Sequence, residues 1–371
     1  MNFDYTEDQK FLKDEARKFL EARCTSDVTR RVLDNDDVPF DPELWKSVAE
    51  MGWTGAAIPE EFGGTGLGHI ELCALAEELG RVIAPIPFAS TVYVFAEAIM
   101  MAGTPGQRQA LLPKIAAGDV IGCLATSEGP GPVSAGTVKA SVQAGRLSGT
   151  KIPVTDGDVA THAIVLAHGE EGLTLYLVDL SEKGAHAERL KTLDPTRSAC
   201  GLSFDGVPCE VLGRPGEGER LLTDILDRAA VLFAFEQVGG ADKCLEMAKA
   251  YALERYAFGR VIASYQAIKH KLADIYVKSE IARSCAYFGA WALSTNAADL
   301  PEAAATARIA GSDAYDFAAK ENLQTHGGMG FTWEVDCHLH LRRARQLALA
   351  LGGPPVWEER LVRCLERRNA A

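Results

Sequence analysis

Residues 163–180 read AIVLAHGEEGLTLYLVDL, and this stretch decides the fold class. Two apolar runs, 163–167 and 173–180, flank a polar linker at 168–172 that contains two glycines. Short apolar runs joined by a glycine-containing turn are typical of two antiparallel strands that form a β-hairpin. The sequence therefore predicts a β-sheet in the middle of the chain.

The predicted sheet extends on both sides of this hairpin. Val138, Ala140 and Val142 alternate with polar residues, which is the two-residue period of a half-buried strand. A glycine-rich break, LGRPGEG at 212–218, follows the last apolar run. We therefore predict a small antiparallel β domain over residues 121–213.

Both flanks of the β domain have helical patterns. Residues 8–21 place their apolar side chains on one stripe, and a helix after Asp41 begins with Pro42, a favoured first-turn residue. Helical patterns resume after residue 218 and continue for about 150 residues. The order predicts an α+β fold, with an N-terminal α-helical domain over 1–120 and a C-terminal helical bundle over 218–371.

Composition excludes several classes of protein. The chain has 371 residues, of which 47% are hydrophobic and 24% charged, as in folded globular proteins. It has no uncharged apolar run of about 18 residues, so we predict no membrane span. The formal net charge of -13 disfavours a nucleic-acid-binding protein, which needs a broad basic surface.

The cysteines and the N-terminus indicate a cytoplasmic protein. Nine cysteines are scattered singly, without a CxxC pair, so neither a disulfide framework nor a thiolate metal site is predicted. The first residues are acidic and lack the basic-then-apolar order of a signal peptide. His338 and His340 lie beside two arginines without a further ligand at convincing spacing, so we predict no metal site.

Three segments carry residue types that suit anionic or flat ligands. They are EEFGGTGLG at 60–68, YALERYAFGR at 251–260 and QTHGGMGF at 324–331. Arg255 offers a planar guanidinium that matches phosphate oxygens. Gly327 and Gly328 allow a ligand to approach the backbone closely.

Together, and in this order, these segments resemble the acyl-CoA dehydrogenase family. The resemblance runs from Phe3 and the Thr6-Glu7-Asp8-Gln9 stretch to Arg342-Arg343-Ala344, almost the whole chain. It implies an N-terminal α-helical domain, a middle antiparallel β-barrel-like domain and a C-terminal four-helix bundle. It also implies FAD at a subunit interface in a tetramer built from dimers.

The resemblance implies α,β-dehydrogenation of an acyl-CoA thioester. In this family a carboxylate removes the α-proton while the β-hydrogen leaves as hydride to flavin N5. Electrons then usually pass to an electron-transferring flavoprotein. The acyl group stays open between a straight chain, a branched chain and a steroid side chain.

The family's FAD-binding residues can be located in this sequence, in two halves. The half that each subunit donates to its neighbour is intact: Arg255, Phe258, Gln266, Gln324, Gly327 and Gly328. The half that a subunit uses itself is altered, because its first segment reads TSEGPGPVS at 126–134 and its second reads Pro153-Val154-Thr155, without the family's tryptophan. Thr155 is retained, and its hydroxyl suits a hydrogen bond to the flavin.

The family's base is missing from both of its usual positions. These positions are Leu351 and Ala229 in this chain. Asp227 lies about 200° round the helix from Ala229, and Glu236 shares its face but lies about 10.5 Å further along. The catalytic residue is therefore unknown from the sequence.

The contrast between the two halves predicts a paired assembly. This chain keeps the residues that it would donate to a neighbour's FAD site and has lost the residues of its own FAD site. We therefore expect it to work in a heterotetramer with a sister acyl-CoA dehydrogenase subunit. Two alternatives stay open. One is a divergent homotetramer, and the other is a non-catalytic structural subunit or a flavin-free homologue.

Overall fold

The computed structural model describes residues 5–35 and 37–370, and Phe3 of the family-like N-terminal motif lies outside them. The first third of the chain is helical, as predicted. Its helices are α1 (Glu7–Arg23), α2 (Ser26–Leu33), α3 (Pro42–Glu50), α4 (His69–Arg81), α5 (Glu97–Ala102) and α6 (Pro105–Ala116). A π-helix, Ala89–Ala96, leads into α5. Short 3-10 turns lie at Trp53–Gly55 and Glu60–Phe62.

The helix starts follow from local hydrogen bonding. Thr6 and Gln9 form a reciprocal capping box at the start of α1, which satisfies two backbone N–H groups that the helix leaves unpaired. Asp41 accepts a hydrogen bond from the Leu44 N–H and so caps α3, whose first residue is Pro42. Both predicted helices are confirmed.

The middle of the chain forms one eight-stranded sheet. Its strands are β1 (Gly122–Ala125), β2 (Ser141–Gln143), β3 (Arg146–Thr155), β4 (His162–Gly169), β5 (Gly172–Asp179), β6 (Ala185–Arg189), β7 (Ala199–Pro208) and β8 (Glu210–Leu212). The order β6-β7-β3-β2-β4-β5-β8 places β4 and β5 side by side. Gly169 pairs with Gly172 at the end of the β4–β5 ladder, which confirms the predicted hairpin.

Two details of the predicted sheet are wrong. The sheet is mixed, because β1 pairs with β4 in parallel across a long connection, whereas the sequence predicts an antiparallel sheet. The predicted strand through Val138 and Ala140 is shorter, since only Ser141–Gln143 pairs as a strand. The N–H groups of Lys139 and Ala140 instead donate to the carboxylate of Glu128.

The last third of the chain is again helical. It contains α7 (Gly218–Glu254), the short strands β9 (Tyr256–Ala257) and β10 (Arg260–Val261), α8 (Gln266–Ser294), α9 (Leu300–His326), α10 (Cys337–Leu349) and α11 (Pro354–Ala370). No helix of the described residues has both the length and the apolar character needed to cross a membrane.

The chain divides into two compact units. The bundle unit consists of Met1–Asp27, His69–Ala84 and Ala230–Ala371, and the sheet unit of Val28–Gly68 and Pro85–Ala229. The predicted domain limits of 1–120, 121–213 and 218–371 stay a prediction.

Glycines allow two helices of the bundle unit to cross closely. A Cβ atom at Gly80 in α4 would overlap the carbonyl group of Glu236 in α7. A Cβ atom at Gly239 in α7 would overlap the carbonyl group of Glu77 in α4. The two backbones therefore touch at this crossing, and only glycine fits there.

A buried ion network surrounds the same crossing. The fully buried Glu77 carboxylate binds Lys13 at 2.5 Å and also Arg283, which in turn binds Asp242. Burial acts to raise the pKa of Glu77, but the two cations outweigh it and hold that pKa below the ordinary value. The charges thus join α1, α4, α7 and α8.

Candidate functional site

The candidate segment at 251–260 folds as a tight hairpin at the end of α7. Ala257 pairs with Arg260 across β9 and β10, so that Phe258 and Gly259 form a two-residue turn. Both turn residues have positive φ, 52° and 80° respectively. A two-residue turn with positive φ at both positions has the twist that antiparallel strands require.

Phe258 is held in an unusual conformation on the surface. A bulky residue with positive φ carries backbone strain, and the side chain of Phe258 is 97% exposed. An exposed aromatic ring in a strained turn gains no packing energy within its own unit. Strain of this kind clusters at sites that bind ligands or partners.

The two arginines of the hairpin have different environments. The guanidinium carbon of Arg260 lies 4.0 Å from the ring centroid of Tyr265, so Arg260 is engaged in a cation–π contact. The side chain of Arg255 is exposed and makes no hydrogen bond or ion pair with any residue in the described parts of the chain. Arg255 is therefore available to bind an anion.

The candidate segment at 324–331 forms the end of α9 and the turn after it. A 3-10 turn, Gly327–Phe331, follows the helix, and Gly327 has a φ of 59°. A Cβ atom at Gly327 or Gly328 would meet nothing within 4 Å, whereas one at Gly330 would overlap the carbonyl of Leu323. Gly330 is thus needed for packing, while the backbone at Gly327 and Gly328 faces open space.

The structure brings these two segments together. The ring of Tyr251, one helical turn before Arg255, stacks on His326 with centroids 4.2 Å apart. Lys271, in the second turn of α8, forms an ion pair of 2.5 Å with Glu321 in α9. The ends of α7 and α9 and the start of α8 therefore meet at one end of the bundle unit.

Six of the seven predicted cofactor residues lie at this end, which we call the cradle. They are Arg255, Phe258, Gln266, Gln324, Gly327 and Gly328. The side chains of Gln266 and Gln324 are exposed and make no hydrogen bond to any residue that the structure describes. The cradle thus offers a guanidinium, two amides, an aromatic ring and open backbone.

Thr155, the seventh predicted residue, lies in the sheet unit. It is the last residue of β3, its side chain is exposed, and it pairs with Ala199 in β7. Asp156 follows with a φ of 57°, and its buried carboxylate accepts a hydrogen bond of 2.7 Å from Ser90. The exposed residue two positions before Thr155 is Pro153, which offers no aromatic surface.

The segment at 126–134 is closed on itself by residues that the sequence did not single out. Lys151 is fully buried, and its Nζ donates to Glu128 at 2.6 Å and to the carbonyl oxygen of Thr126 at 3.2 Å. Residues 126–133, Thr137 and Val138 line a small, partly open pocket of about 60 Å³. The sequence held one indication that Lys151 is buried. In β3, Lys151 is an even number of residues from the buried Leu147, so both are expected on the same face of the strand.

The charges of Glu128 and Lys151 depend on each other. Burial acts to raise the pKa of Glu128, but hydrogen bonds from Lys151 and from two backbone amides outweigh it and lower that pKa. Burial lowers the pKa of Lys151, and the Glu128 charge opposes this shift. Glu128 therefore stabilises the loop in its ionised form.

Glu236, one of the two carboxylates considered for the base, is committed to an ion pair. Glu236 and Arg343 are both fully buried, and their side chains lie 3.4 Å apart. Burial among uncharged groups costs free energy for both ions. The pair offsets this cost because each ion stabilises the charge of the other. Asp227 lies in the sheet unit and is also buried.

Leu351 lies in a turn that a buried arginine supports. Leu351 has a φ of 60° and follows the end of α10. The fully buried Arg308 donates to the carbonyl oxygens of Leu347 and of Ala350, the latter at 2.7 Å, and to the Gln237 side chain. Burial lowers the pKa of Arg308 to about 9.

His340 serves the core of the bundle unit. Its Nδ1 lies 3.0 Å from the Tyr315 hydroxyl, and burial lowers its pKa to about 3. His338 stacks on Trp333 with ring centroids 4.6 Å apart. Within the described residues, no group of three or more potential ligands is placed to hold a metal ion.

Family models match both helical parts of the chain. The model for the acyl-CoA dehydrogenase N-terminal domain matches residues 6–119, and that for the acyl-CoA dehydrogenase C-terminal domain matches residues 216–356. The chain belongs to the acyl-CoA dehydrogenase family. The predicted fold, with helical ends around a central sheet, is confirmed by this match and by solved structures of the family.

Relatives in this family cover nearly the full chain. Acyl-CoA dehydrogenase IpdE2 of Mycobacterium tuberculosis is 32% identical over 90% of each chain. A structure of the Tcur3481–Tcur3483 steroid ACAD has 33% identity and a TM-score of 0.89, covering 98% of this chain and 99% of that one. The ChsE4–ChsE5 complex from M. tuberculosis has 28% identity and a TM-score of 0.89, covering 99% of each chain.

The residues present fit part of a flavin dinucleotide. The cradle has the donors and the open backbone that phosphates and an adenosine require. The segment at 126–134 offers less to a flavin ring, because the carboxylate of Glu128 is already bound to Lys151.

Proposed function

We propose that this chain is one subunit of an FAD-dependent acyl-CoA dehydrogenase and that it completes a flavin site on a sister subunit. The observation that carries the proposal is the cradle. Arg255 and Phe258 are exposed and unused within the described part of the bundle unit, and they lie beside the open backbone of Gly327 and Gly328. Such surfaces are expected to be covered in the assembly.

The residues of the cradle have separate roles in this proposal. The guanidinium of Arg255 binds the pyrophosphate, and Phe258 contacts the adenosine. Gln324 and the backbone at Gly327 and Gly328 bind and orient the same dinucleotide, with Gln266 nearby. When bound, FAD supplies a two-electron acceptor for the hydride that leaves the β-carbon of the acyl-CoA.

The sister subunit supplies what this chain lacks. The base position holds Leu351, Glu236 is bound to Arg343, and the loop at 126–134 is closed by the Glu128–Lys151 pair. A base, ring contacts and phosphate contacts need to meet in one pocket, but two chains can provide them. Two similar structures, the Tcur3481–Tcur3483 steroid ACAD and the ChsE4–ChsE5 complex, each join two different proteins, which supports a heterotetramer.

Further features of the family complete the proposal. The substrate is an acyl-CoA thioester, the electrons pass to an electron-transferring flavoprotein, and the assembly works in the cytoplasm. The exposed hydroxyl of Thr155 suits a hydrogen bond to a ring, but the closed loop beside it makes this half the weaker candidate. The three-domain division at 121 and 218 forms part of the proposal.

The same closed loop favours a second candidate function. A chain whose base position is a leucine, and whose Glu128 and Lys151 bind each other in the altered segment, also suits a non-catalytic structural subunit without flavin. A divergent homotetramer with one FAD per chain is the remaining alternative. These three assemblies differ in subunit composition and in flavin content.

Co-expression with a sister acyl-CoA dehydrogenase subunit tests the proposal. Native mass spectrometry gives the subunit composition, and absorbance near 450 nm gives the flavin count. We expect an α2β2 complex with one FAD for each pair of different chains. A homotetramer with one FAD per chain contradicts the paired model, and a colourless complex that does not take up FAD favours the structural subunit.

A further inference from the structure

Tyr265 lies under the hairpin that carries Phe258. Its hydroxyl donates a hydrogen bond of 2.9 Å to the carbonyl oxygen of Ala257, the residue directly before Phe258. Its ring faces the guanidinium of Arg260 at 4.0 Å, on the opposite strand. One side chain therefore holds both strands of the hairpin, on either side of the turn.

The backbone around Tyr265 ties the same hairpin to the rest of the bundle unit. Tyr265 is the residue before α8 and has an extended conformation, with φ of -82° and ψ of 135°. The N–H of Ile262 donates to the carbonyl oxygen of Arg255 at 2.8 Å, which closes the base of the hairpin. This hydrogen bond and the short segment from Ile262 to Tyr265 thus link the position of Arg255 to that of Tyr265.

The hairpin needs such support because it is short. It has only two residue pairs, Arg260 with Ala257 and Val261 with Tyr256. An isolated two-stranded hairpin is marginally stable in water. Positive φ at Phe258 adds strain, which persists only where the surrounding structure enforces it.

We propose that Tyr265 is a positioning residue for cofactor binding, which acts by holding the Arg255–Phe258 hairpin in its binding conformation before the cofactor arrives. The inference rests on the proposed function of the cradle. Preorganisation strengthens binding because the ligand no longer has to order the segment that binds it. Arg260 belongs to this support and not to the anion site, whereas Arg255 binds the anion.

Two substitutions separate the contributions of Tyr265. Tyr265→Phe removes the hydroxyl bond to Ala257 and keeps the ring under Arg260. Tyr265→Leu removes both contacts and keeps an apolar side chain. We expect the FAD affinity of the co-expressed complex to fall about threefold for Tyr265→Phe and about tenfold for Tyr265→Leu, because the cost of ordering the hairpin is added to binding.

Amide hydrogen exchange of the isolated chain gives a readout that does not depend on flavin. We expect faster exchange in Tyr265→Leu at residues 256–262, including the Ile262 N–H, with the centres of α8 and α9 unchanged. Tyr276→Leu, which changes an exposed tyrosine further along α8, is the matched control and should leave both measurements unchanged.

The outcomes distinguish this inference from the proposed function. If the wild-type complex takes up no FAD, the proposed function fails, while the exchange data still show whether Tyr265 orders the hairpin. Flavin affinity that stays at the wild-type value in Tyr265→Leu, in a complex that does bind FAD, overturns the positioning role. Uniformly faster exchange throughout the bundle unit also overturns it, since it indicates a general structural role.

Discussion

The ring of Tyr251 stacks on the imidazole of His326 with centroids 4.2 Å apart and an angle of 27° between their planes. Tyr251 lies near the end of α7, one turn before Arg255, and His326 is the last residue of α9. Nδ1 of His326 also lies 2.9 Å from the carbonyl oxygen of Asn322, which fixes the ring. This contact sets the distance between the arginine and the glycine turn of the cradle.

Tyr251→Ala is expected to separate the two halves of the cradle. The loss of a stacked pair costs about 1 kcal/mol beyond the lost burial, so the bundle unit should unfold at a lower urea concentration. Flavin retention should fall further than the small loss of stability accounts for, because the arginine and the glycine turn are no longer held in one geometry. Tyr251→Phe retains the stack and should restore both properties.

Arg255→Ala is expected to reduce the flavin content of the co-expressed complex without changing its subunit composition. The side chain has no partner among the described residues, so its removal leaves no buried group unpaired. Arg255→Lys should rescue only part of the loss, because an ammonium group does not present two parallel donors. Arg214→Ala, at another exposed arginine, is the control, and equal flavin loss in it would contradict the assignment.

Glu236→Gln is expected to destabilise the bundle unit. It removes the charge beside the fully buried Arg343, and breaking one side of a buried pair costs about 3–5 kcal/mol. Urea unfolding measures this loss. The double variant Glu236→Gln with Arg343→Met should recover part of it, because Arg343 then leaves no buried charge without its partner. A Glu236→Gln chain of unchanged stability and lost activity would instead identify Glu236 as the base.

Leu351→Glu tests where the substrate lies. We expect the wild-type chain alone to have little or no dehydrogenase activity on acyl-CoA substrates, since the family base is replaced by leucine. Installing a carboxylate should create activity only if the thioester reaches this turn. High activity of the wild-type chain alone, abolished by Glu236→Ala or Asp227→Ala, would show that our placement of the base is wrong.

The Glu128–Lys151 pair predicts a dependence of stability on acid. The pKa of Glu128 is lowered from 4.5 in the folded chain, so the unfolded chain binds its proton first as the pH falls. Its stabilising contribution is therefore present above pH 4.5 and is lost as the pH falls through the lower folded value. Glu128→Gln should remove this part of the acid dependence, which urea unfolding at a series of pH values measures.

Local patterns determined the elements of this protein. The hairpin at 163–180, the capped start of α3 and the helical stripe of α1 each depend on residues a few positions apart. The sequence also singled out the segments of the cradle, because a glycine turn and an arginine beside it are recognisable from consecutive residues. The sequence by itself therefore determined the fold class and the family.

Tertiary structure decided which of those elements meet and which side chains are already in use. Glu128 accepts hydrogen bonds from two amides of the predicted strand, and Arg343 forms an ion pair with Glu236. Tyr265 contacts Arg260, while Arg255 stays available. Each of these outcomes depends on residues far apart in the chain or on the direction of a long side chain. The periodicity of a sequence indicates which face of a helix or strand a residue occupies. Its bonding partner is decided only when distant elements pack together and compete for the same charged and polar groups.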